Sequence, residues 1–362
     1  MRPVSVPRAG LGGIRVFGGP QVIMSINEKI KCPACYTGLE SPALVETYFQ
    51  PDEKKRYSIY ECAACKAHFA WPLQNPDEEV YKTLFLESEY VFELKSDWRI
   101  DLILKTPFED CKNILDIGCG YGNFMHFAQA KGYNVSGVDY SAEKIEIAKN
   151  LGLANLYHGT IDSFIKDNDK KWDLLTLLDV LEHLDNPAKL ISEVNSLLKM
   201  KGYLAVAVPN RKYPKILSSS KRFYPPHHLT FWDMISLRQF LARNGFSVES
   251  EQVSPLALKS VSDFVLTPVL ISLVFRAKNI IFRQAGIDGK NIRFTPSESL
   301  AKDMNSILKS KPLRRKMLAV VRIALFVLLS PVILGLFVFL KLTNDQGLTI
   351  LLIARKLDKN NG

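Results

Sequence analysis

The stretch ILDIGCGYGNF, residues 114–124, decides how this chain folds. Strand-forming residues Ile114, Leu115 and Ile117 enclose one acid, Asp116, and give way to glycines at alternate positions, Gly118, Gly120 and Gly122. The order predicts a strand, a tight turn and a helix start. Glycine at such positions permits φ > 0 and leaves backbone amides bare, so a ligand can lie against the turn.

Working outward, a second apolar run, residues 133–138, ends at Asp139. That acid falls about twenty residues after the glycines, where a nucleoside-binding fold places a carboxylate on ribose hydroxyls. A third run, 172–178, leads into Asp179. Strand and helix patterns alternate through this region, which argues for a parallel sheet with helices on both faces. Strands are expected near 113–117, 133–138, 154–158, 172–178, 202–208, 246–253 and 347–355, and helices near 122–131, 141–150, 187–199 and 232–244. Ser141 is placed as an N-cap, with Lys144 where a capping box would have glutamate.

With these runs in order, the chain resembles the class I S-adenosylmethionine (SAM) dependent methyltransferases, whose first motif is similar to LDIGCGYG with an acid ending the second strand. The resemblance covers residues 113–245 and a last strand near Leu348, and extends to glycan-pathway and ubiquinone-pathway O-methyltransferases of bacteria. It implies an α/β, Rossmann-like seven-stranded sheet of order 3-2-1-4-5-7-6, with SAM bound at the carboxyl ends of the strands. On the same footing, Asp116 orients the glycine turn and the amino end of the methionine moiety. Gly118, Cys119 and Gly120 form the turn that approaches the ligand. Asp139 accepts the ribose hydroxyls and Tyr140 covers an adenine face. In HGTID, residues 158–162, Thr160, Ile161 and Asp162 stand where the family often has an acid beside adenine; the first of these positions is Thr160, so the partner of the adenine amine stays open.

The next constellation is DVLEHLDNP, residues 179–187. Asp179, Glu182 and His183 are expected at the end of the fourth strand, facing the transferred methyl. Asp179 is placed with the cofactor residues. Glu182 and His183 are candidate catalytic residues, with loop bracing as the competing role. In ubiquinone-pathway relatives a similar cluster can hold a divalent cation, which leaves magnesium as a secondary alternative. Past the fifth strand, FYPPHHLTFW (223–232) carries His227 and His228 behind two prolines that stiffen the segment. His183, His227 and His228 are therefore unranked candidates for the base that removes an acceptor proton.

Six cysteines fall as CPAC (Cys32, Cys35), CAAC (Cys62, Cys65), Cys111 and Cys119. Two knuckles around a β-rich stretch can close a tetrahedral zinc site with no open coordination position, hence structural zinc in a reducing compartment. Residues 28–74 are read as this zinc ribbon and 1–27 as a disordered segment, or as sequence ahead of a true start at Met24. Residues 75–110 form an acidic and aromatic linker with a docking helix, in which Tyr81, Phe85, Tyr90 and Trp98 are spaced to pack on a neighbour.

The methyltransferase domain then takes 111–253 plus 346–357, interrupted by a hydrophobic helical insertion, 254–345. A compact domain would join its last two strands by a few residues. Here 264–275 is apolar, and 323–340 has no charge over eighteen residues, the length of a membrane-crossing candidate. Between them lies a basic link that includes Arg276, Lys290, Arg293, Arg314 and Arg315. The strand-like LTILLIAR (348–355) must return to the same sheet, so a monotopic insertion fits better than a hairpin that exports this charge. The net charge of +10 is thereby assigned to an anionic membrane surface rather than to nucleic acid.

The reading is a SAM-dependent methyltransferase at the cytoplasmic face of the membrane, O-methylating a lipid-linked glycan or other amphipathic acceptor. Its rivals are a quinone or polyprenyl-phenol O-methyltransferase and a non-catalytic membrane-surface scaffold with a vestigial SAM pocket.

Overall fold

The computed structural model describes residues 30–40, 42–50, 55–74, 94–213, 223–256, 258, 261–262, 265–266, 269, 312–343 and 347–358. The first 29 residues, most of the 75–110 linker with Tyr81, Phe85 and Tyr90, and nearly all of the basic link lie outside them.

The amino-terminal unit begins with β1 (Ile30–Lys31) and β2 (Gly38–Leu39), which pair around the first cysteine knuckle. It continues as the antiparallel strands β3 (Ala43–Gln50), β4 (Lys55–Glu61) and β5 (His68–Trp71). In each knuckle the residue after the second cysteine, Tyr36 or Lys66, takes positive φ, and its amide donates to the carbonyl of the first cysteine. This turn folds the four thiols inward.

After helix α1 (Trp98–Lys105), capped by the Asp97 carboxylate, the large domain alternates as the sequence predicts. Its elements are β6 (Asn113–Ile117), α2 (Asn123–Ala130), β7 (Asn134–Asp139), α3 (Ala142–Asn150), β8 (Leu156–His158), α4 (Ile161–Asp167), β9 (Trp172–Leu178), α5 (Pro187–Leu197) and β10 (Leu198–Pro209). The short β11 (Thr230–Phe231), α6 (Met234–Arg243) and β12 (Phe246–Val253) follow, then α7 (Pro312–Thr343) and β13 (Thr349–Lys356). The sheet runs β8-β7-β6-β9-β10-β13-β12, which is the expected order, with β13 antiparallel between β10 and β12. Buried runs such as Leu174, Leu175 and Leu177 on β9 and Leu204 to Val208 on β10 give it two covered faces. Ser141 caps α3 through the Lys144 amide, as its position predicts.

Two features differ from the sequence reading. Helix α4 and a 3-10 turn, Leu181–His183, occupy segments read as loop. The cysteine unit is also not a separate appendage. Strand β11, from the segment after β10, pairs antiparallel with β5, so the small sheet reads β11-β5-β4-β3 and takes one strand from the large domain. One buried core runs through both units, joining Cys32, Cys62 and Phe69 to Trp232, Phe240 and Leu177. The aromatic rings of Tyr48 and Tyr224 stack at 4.5 Å across the same seam.

Within α7, Ala324–Leu342 is long and apolar enough to cross a membrane, with a mean hydropathy of 2.5. Ile333 and Leu340 pack on Tyr213 and Leu256 of the large domain, whereas Leu328, Val332, Phe339 and Leu342 are exposed.

Candidate functional site

The turn after β6 is held from the neighbouring strand. Val138 at the end of β7 accepts hydrogen bonds from the amides of Gly118 (2.8 Å) and Cys119 (3.1 Å). Gly118 has φ +73, and a Cβ there would sit 2.5 Å from Val180 Cγ2. Only glycine fits that position. Asp139 closes the arrangement: Oδ2 accepts from the Gly120 amide and Oδ1 from the Ser141 amide, both at 2.8 Å. Each carboxylate oxygen retains a second acceptor site.

These residues form one end of a cavity of about 660 Å³ at the carboxyl ends of the parallel strands. Gly118, Asp139, Tyr140, Thr160, Ile161, Asp179 and His183 all line it. Asp116, Cys119 and Gly120 stand behind that wall. Asp116 is 3% exposed and accepts from Thr176 Oγ1 at 2.6 Å. Burial pushes its carboxyl up to about 7, against the pull of the Thr176 hydrogen bond and with help from the Asp139 charge. Cys119 is buried, and Gly120 acts through its bond to Asp139. Thr160 caps α4 by accepting from the Ser163 amide.

Asp179 ends β9 at φ +58 and pairs with a residue the sequence reading missed. Arg99 on α1 reaches it at 2.6 Å while also pairing with Asp97 at 2.6 Å. The missing signal was long-range, since nothing near Arg99 marks it as part of the site.

Glu182 and His183 are neighbours on the 3-10 turn but face different spaces. His183 lines the large cavity, whereas Glu182 and His228 line a second cavity of about 250 Å³. This smaller space lies between the two units and takes walls from both, including Val45 and Ile59 from the cysteine unit and Asn210, Arg211 and Tyr213 from the large domain. His183 Nδ1 lies 2.7 Å from the His227 carbonyl oxygen, which can only accept, so Nδ1 carries the proton and Nε2 keeps its lone pair. Nε2 is 3.7 Å from Glu182 Oε1. Burial lowers the His183 pKa, and burial followed by the neighbouring His183 and His227 lowers that of His228 well below the usual imidazole range. Burial, then the Asp179 charge, raises Glu182 well above the usual carboxylate range. All three therefore favour their neutral forms.

Among the described residues, two groups could hold a metal ion. Cys32, Cys35, Cys62 and Cys65 bring their sulfurs within 4.8 Å of one another, with Cys32–Cys65 and Cys35–Cys62 both at 3.6 Å. His183, His227 and His228 bring ring nitrogens equally close, a grouping the sequence reading treated only as candidate bases.

A family model described as a methyltransferase domain matches residues 88–251, the segment that builds the large cavity and its glycine turn. The chain carries a class I SAM-dependent methyltransferase domain. It is 31% identical over 155 residues to a ubiquinone biosynthesis O-methyltransferase of Actinobacillus pleuropneumoniae, covering 35% of this chain and 66% of that protein. With the enzyme of the same name from Vibrio atlanticus it shares 26% over 152 residues, 41% of this chain and 60% of the relative. The chain thus spans under two thirds of the length of these relatives. Among solved structures, a SAM-dependent methyltransferase from Archaeoglobus fulgidus aligns with a TM-score of 0.44 at 18% identity over 76% of this chain and all of that one. Another from Mesorhizobium loti aligns at 0.40 and 14%, over 73% and 100%. Outside the matched segment the chain carries a four-cysteine unit whose β5 pairs with β11, and an apolar helix before the last strand.

Proposed function

We propose that this protein transfers the methyl group of SAM to a hydroxyl of an amphipathic acceptor, such as a lipid-linked glycan, at the cytoplasmic face of the membrane. The observation that carries the reading is the Asp139 carboxylate, fixed by two backbone amides at the wall of a 660 Å³ cavity floored by Gly118. The residues suit the cofactor. Asp139 has acceptor capacity left for two ribose hydroxyls, Tyr140 offers an exposed ring for an adenine face, and the cavity is large enough for a nucleoside with its side chain. SAM, when bound, supplies a methyl group activated by positive sulfur. The protein aligns that methyl with the acceptor oxygen, and alignment of this kind is worth roughly 7 to 11 kcal/mol in well-oriented models.

The exposed apolar face of α7 supports membrane association, since Leu328, Val332, Phe339 and Leu342 would otherwise meet water. The four cysteines fit a structural zinc ion with no open position. Quinone or polyprenyl-phenol O-methylation is the second reading, favoured by the names of the relatives. Its cation-dependent form is weakened by the ion pair that commits Asp179 to Arg99.

The test is a transfer assay with methyl-labelled SAM, comparing extracted membrane lipids of the host with its soluble metabolites and RNA. Label in a lipid fraction supports the proposal. Label confined to soluble or RNA fractions removes the membrane acceptor, and failure of SAM to bind in calorimetry removes the methyltransferase activity.

A further inference from the structure

Among the described residues, two that line the smaller cavity each have a buried polar atom with no hydrogen-bond partner, and the two atoms complement each other. Glu182 Oε2, on a residue 2% exposed, is a vacant site for a hydroxyl, and Arg211 Nε is a donor without an acceptor. The other Arg211 nitrogens are engaged, Nη2 with Asp233 at 2.6 Å and Nη1 with His68. Protein interiors rarely leave such groups unmade, and two at the wall of one cavity point to a ligand that satisfies both.

We propose that the seam between the cysteine unit and the methyltransferase domain is the acceptor site, taking a single hydroxyl-bearing ring whose hydroxyl meets Glu182 and whose second oxygen meets Arg211. The inference rests on the methyltransferase reading above and adds where and how its acceptor binds. At about 250 Å³ the cavity falls below the roughly 300 to 1,000 Å³ of most small-molecule sites, which limits it to one ring. Val45, Ile59, Tyr213 and Leu348 supply apolar walls. Tyr213 rests on the Ile333 and Leu340 side of α7, so an apolar tail leaves the cavity toward the helix that meets lipid.

The site adjoins the cofactor cavity. Glu182 and His183 are consecutive, and the His183 ring, which lines the larger cavity, lies 4.9 Å from that of His228, which lines the smaller. In the transfer, the acceptor oxygen bonds to the methyl carbon as the carbon–sulfur bond breaks and sulfur keeps the electron pair as a neutral thioether. The hydroxyl proton passes to the lone pair on His183 Nε2, 3.7 Å from Glu182 Oε1, while Glu182 orients the acceptor oxygen. The cysteine unit is then half of the acceptor pocket, and metal at the four thiols acts on acceptor affinity without touching SAM.

Equilibrium binding to the full chain, without SAM, tests this. Two tailed rings carry the shared chemistry from different sources: 4-octylcatechol for a phenolic acceptor, and octyl glucoside below its micelle concentration for a sugar. Octylbenzene, which has the tail and no oxygens, is the control. Calorimetry is expected to show one of the oxygenated probes bound in preference to the control, at least about tenfold weaker in Ile59→Trp, which fills the cavity, and in Glu182→Gln. Val45→Trp, at a position 46% exposed, repeats the block where folding is not at risk. SAM titrated into the same samples separates the two readings. Retained SAM affinity with lost probe binding supports the seam site. Equal probe binding by wild type and both tryptophan variants overturns it, as does no preference over octylbenzene, while absent SAM binding in wild type overturns the methyltransferase activity instead.

Discussion

Arg99 Nη1 and Asp179 Oδ2 lie 2.6 Å apart across eighty residues of chain, tying helix α1 to the end of β9. The arginine side chain is 18% exposed and the aspartate 45%, so the pair is partly screened. Its removal leaves Asp179 as an unopposed negative charge facing Glu182. Arg99→Ala is expected to destabilise the fold by about 1 to 2 kcal/mol, intermediate between exposed and buried pairs, and to weaken SAM binding through the displaced Asp179. Thermal melts and calorimetry on the variant check both.

Asp139→Ala removes the acceptor proposed for the ribose and the two amide bonds that shape the turn. SAM affinity is expected to fall by about a hundredfold or more, with stability reduced by about 1 to 3 kcal/mol from the orphaned Gly120 and Ser141 amides. A variant that binds SAM as wild type does would refute the assignment.

The buried Asp116 gives stability a specific pH dependence. Its folded pKa, near 7, lies above the ordinary value of 3.8, so between these the folded state binds more protons than the unfolded one. Stability from this group therefore falls as pH rises from about 4 to 7, by up to about 4 kcal/mol, and is fully lost above 7. Asp116→Asn keeps an acceptor for Thr176 Oγ1 and is expected to flatten this slope in melts of the SAM-free protein. An unchanged slope would show that Asp116 is ionised throughout.

The four-cysteine unit is expected to carry one zinc ion per chain, measurable by elemental analysis. Because β5 of that unit pairs with β11, loss of the ion in Cys62→Ser should expose both the unit and the 223–232 segment to limited proteolysis together. Cleavage of the unit alone would show that the shared sheet survives without metal.

Placing aspartate at Leu328 and Val332, exposed on α7 at 73% and 58%, should abolish co-sedimentation with anionic lipid vesicles. Each charge costs about 2.5 to 3.5 kcal/mol at the centre of an apolar layer. Unaltered sedimentation would assign membrane attachment to the basic link instead.

Much of this was legible in local pattern. The glycine turn, the acids ending successive runs and the cysteine spacing each depend on residues close in sequence, and the sheet order followed from the resemblance they carry. Arg99 was not legible, because its role exists only when α1 lies against β9. Glu182 and His183 were read as one constellation at the methyl, yet they line different cavities. A 3-10 turn has three residues per turn, so consecutive side chains diverge by about 120° around its axis.

The sequence by itself determined the strand–turn–helix that approaches a nucleoside, the four-thiol unit and the apolar helix, because backbone freedom at glycine, metal-ligand spacing and hydrophobic length are properties of short segments. Only the tertiary structure decided that the cysteine unit shares a sheet with the segment after β10 and encloses a second cavity there. Strand pairing between Phe69 and Thr230 brings together groups 161 positions apart, and no periodicity on either side records which edge will meet which.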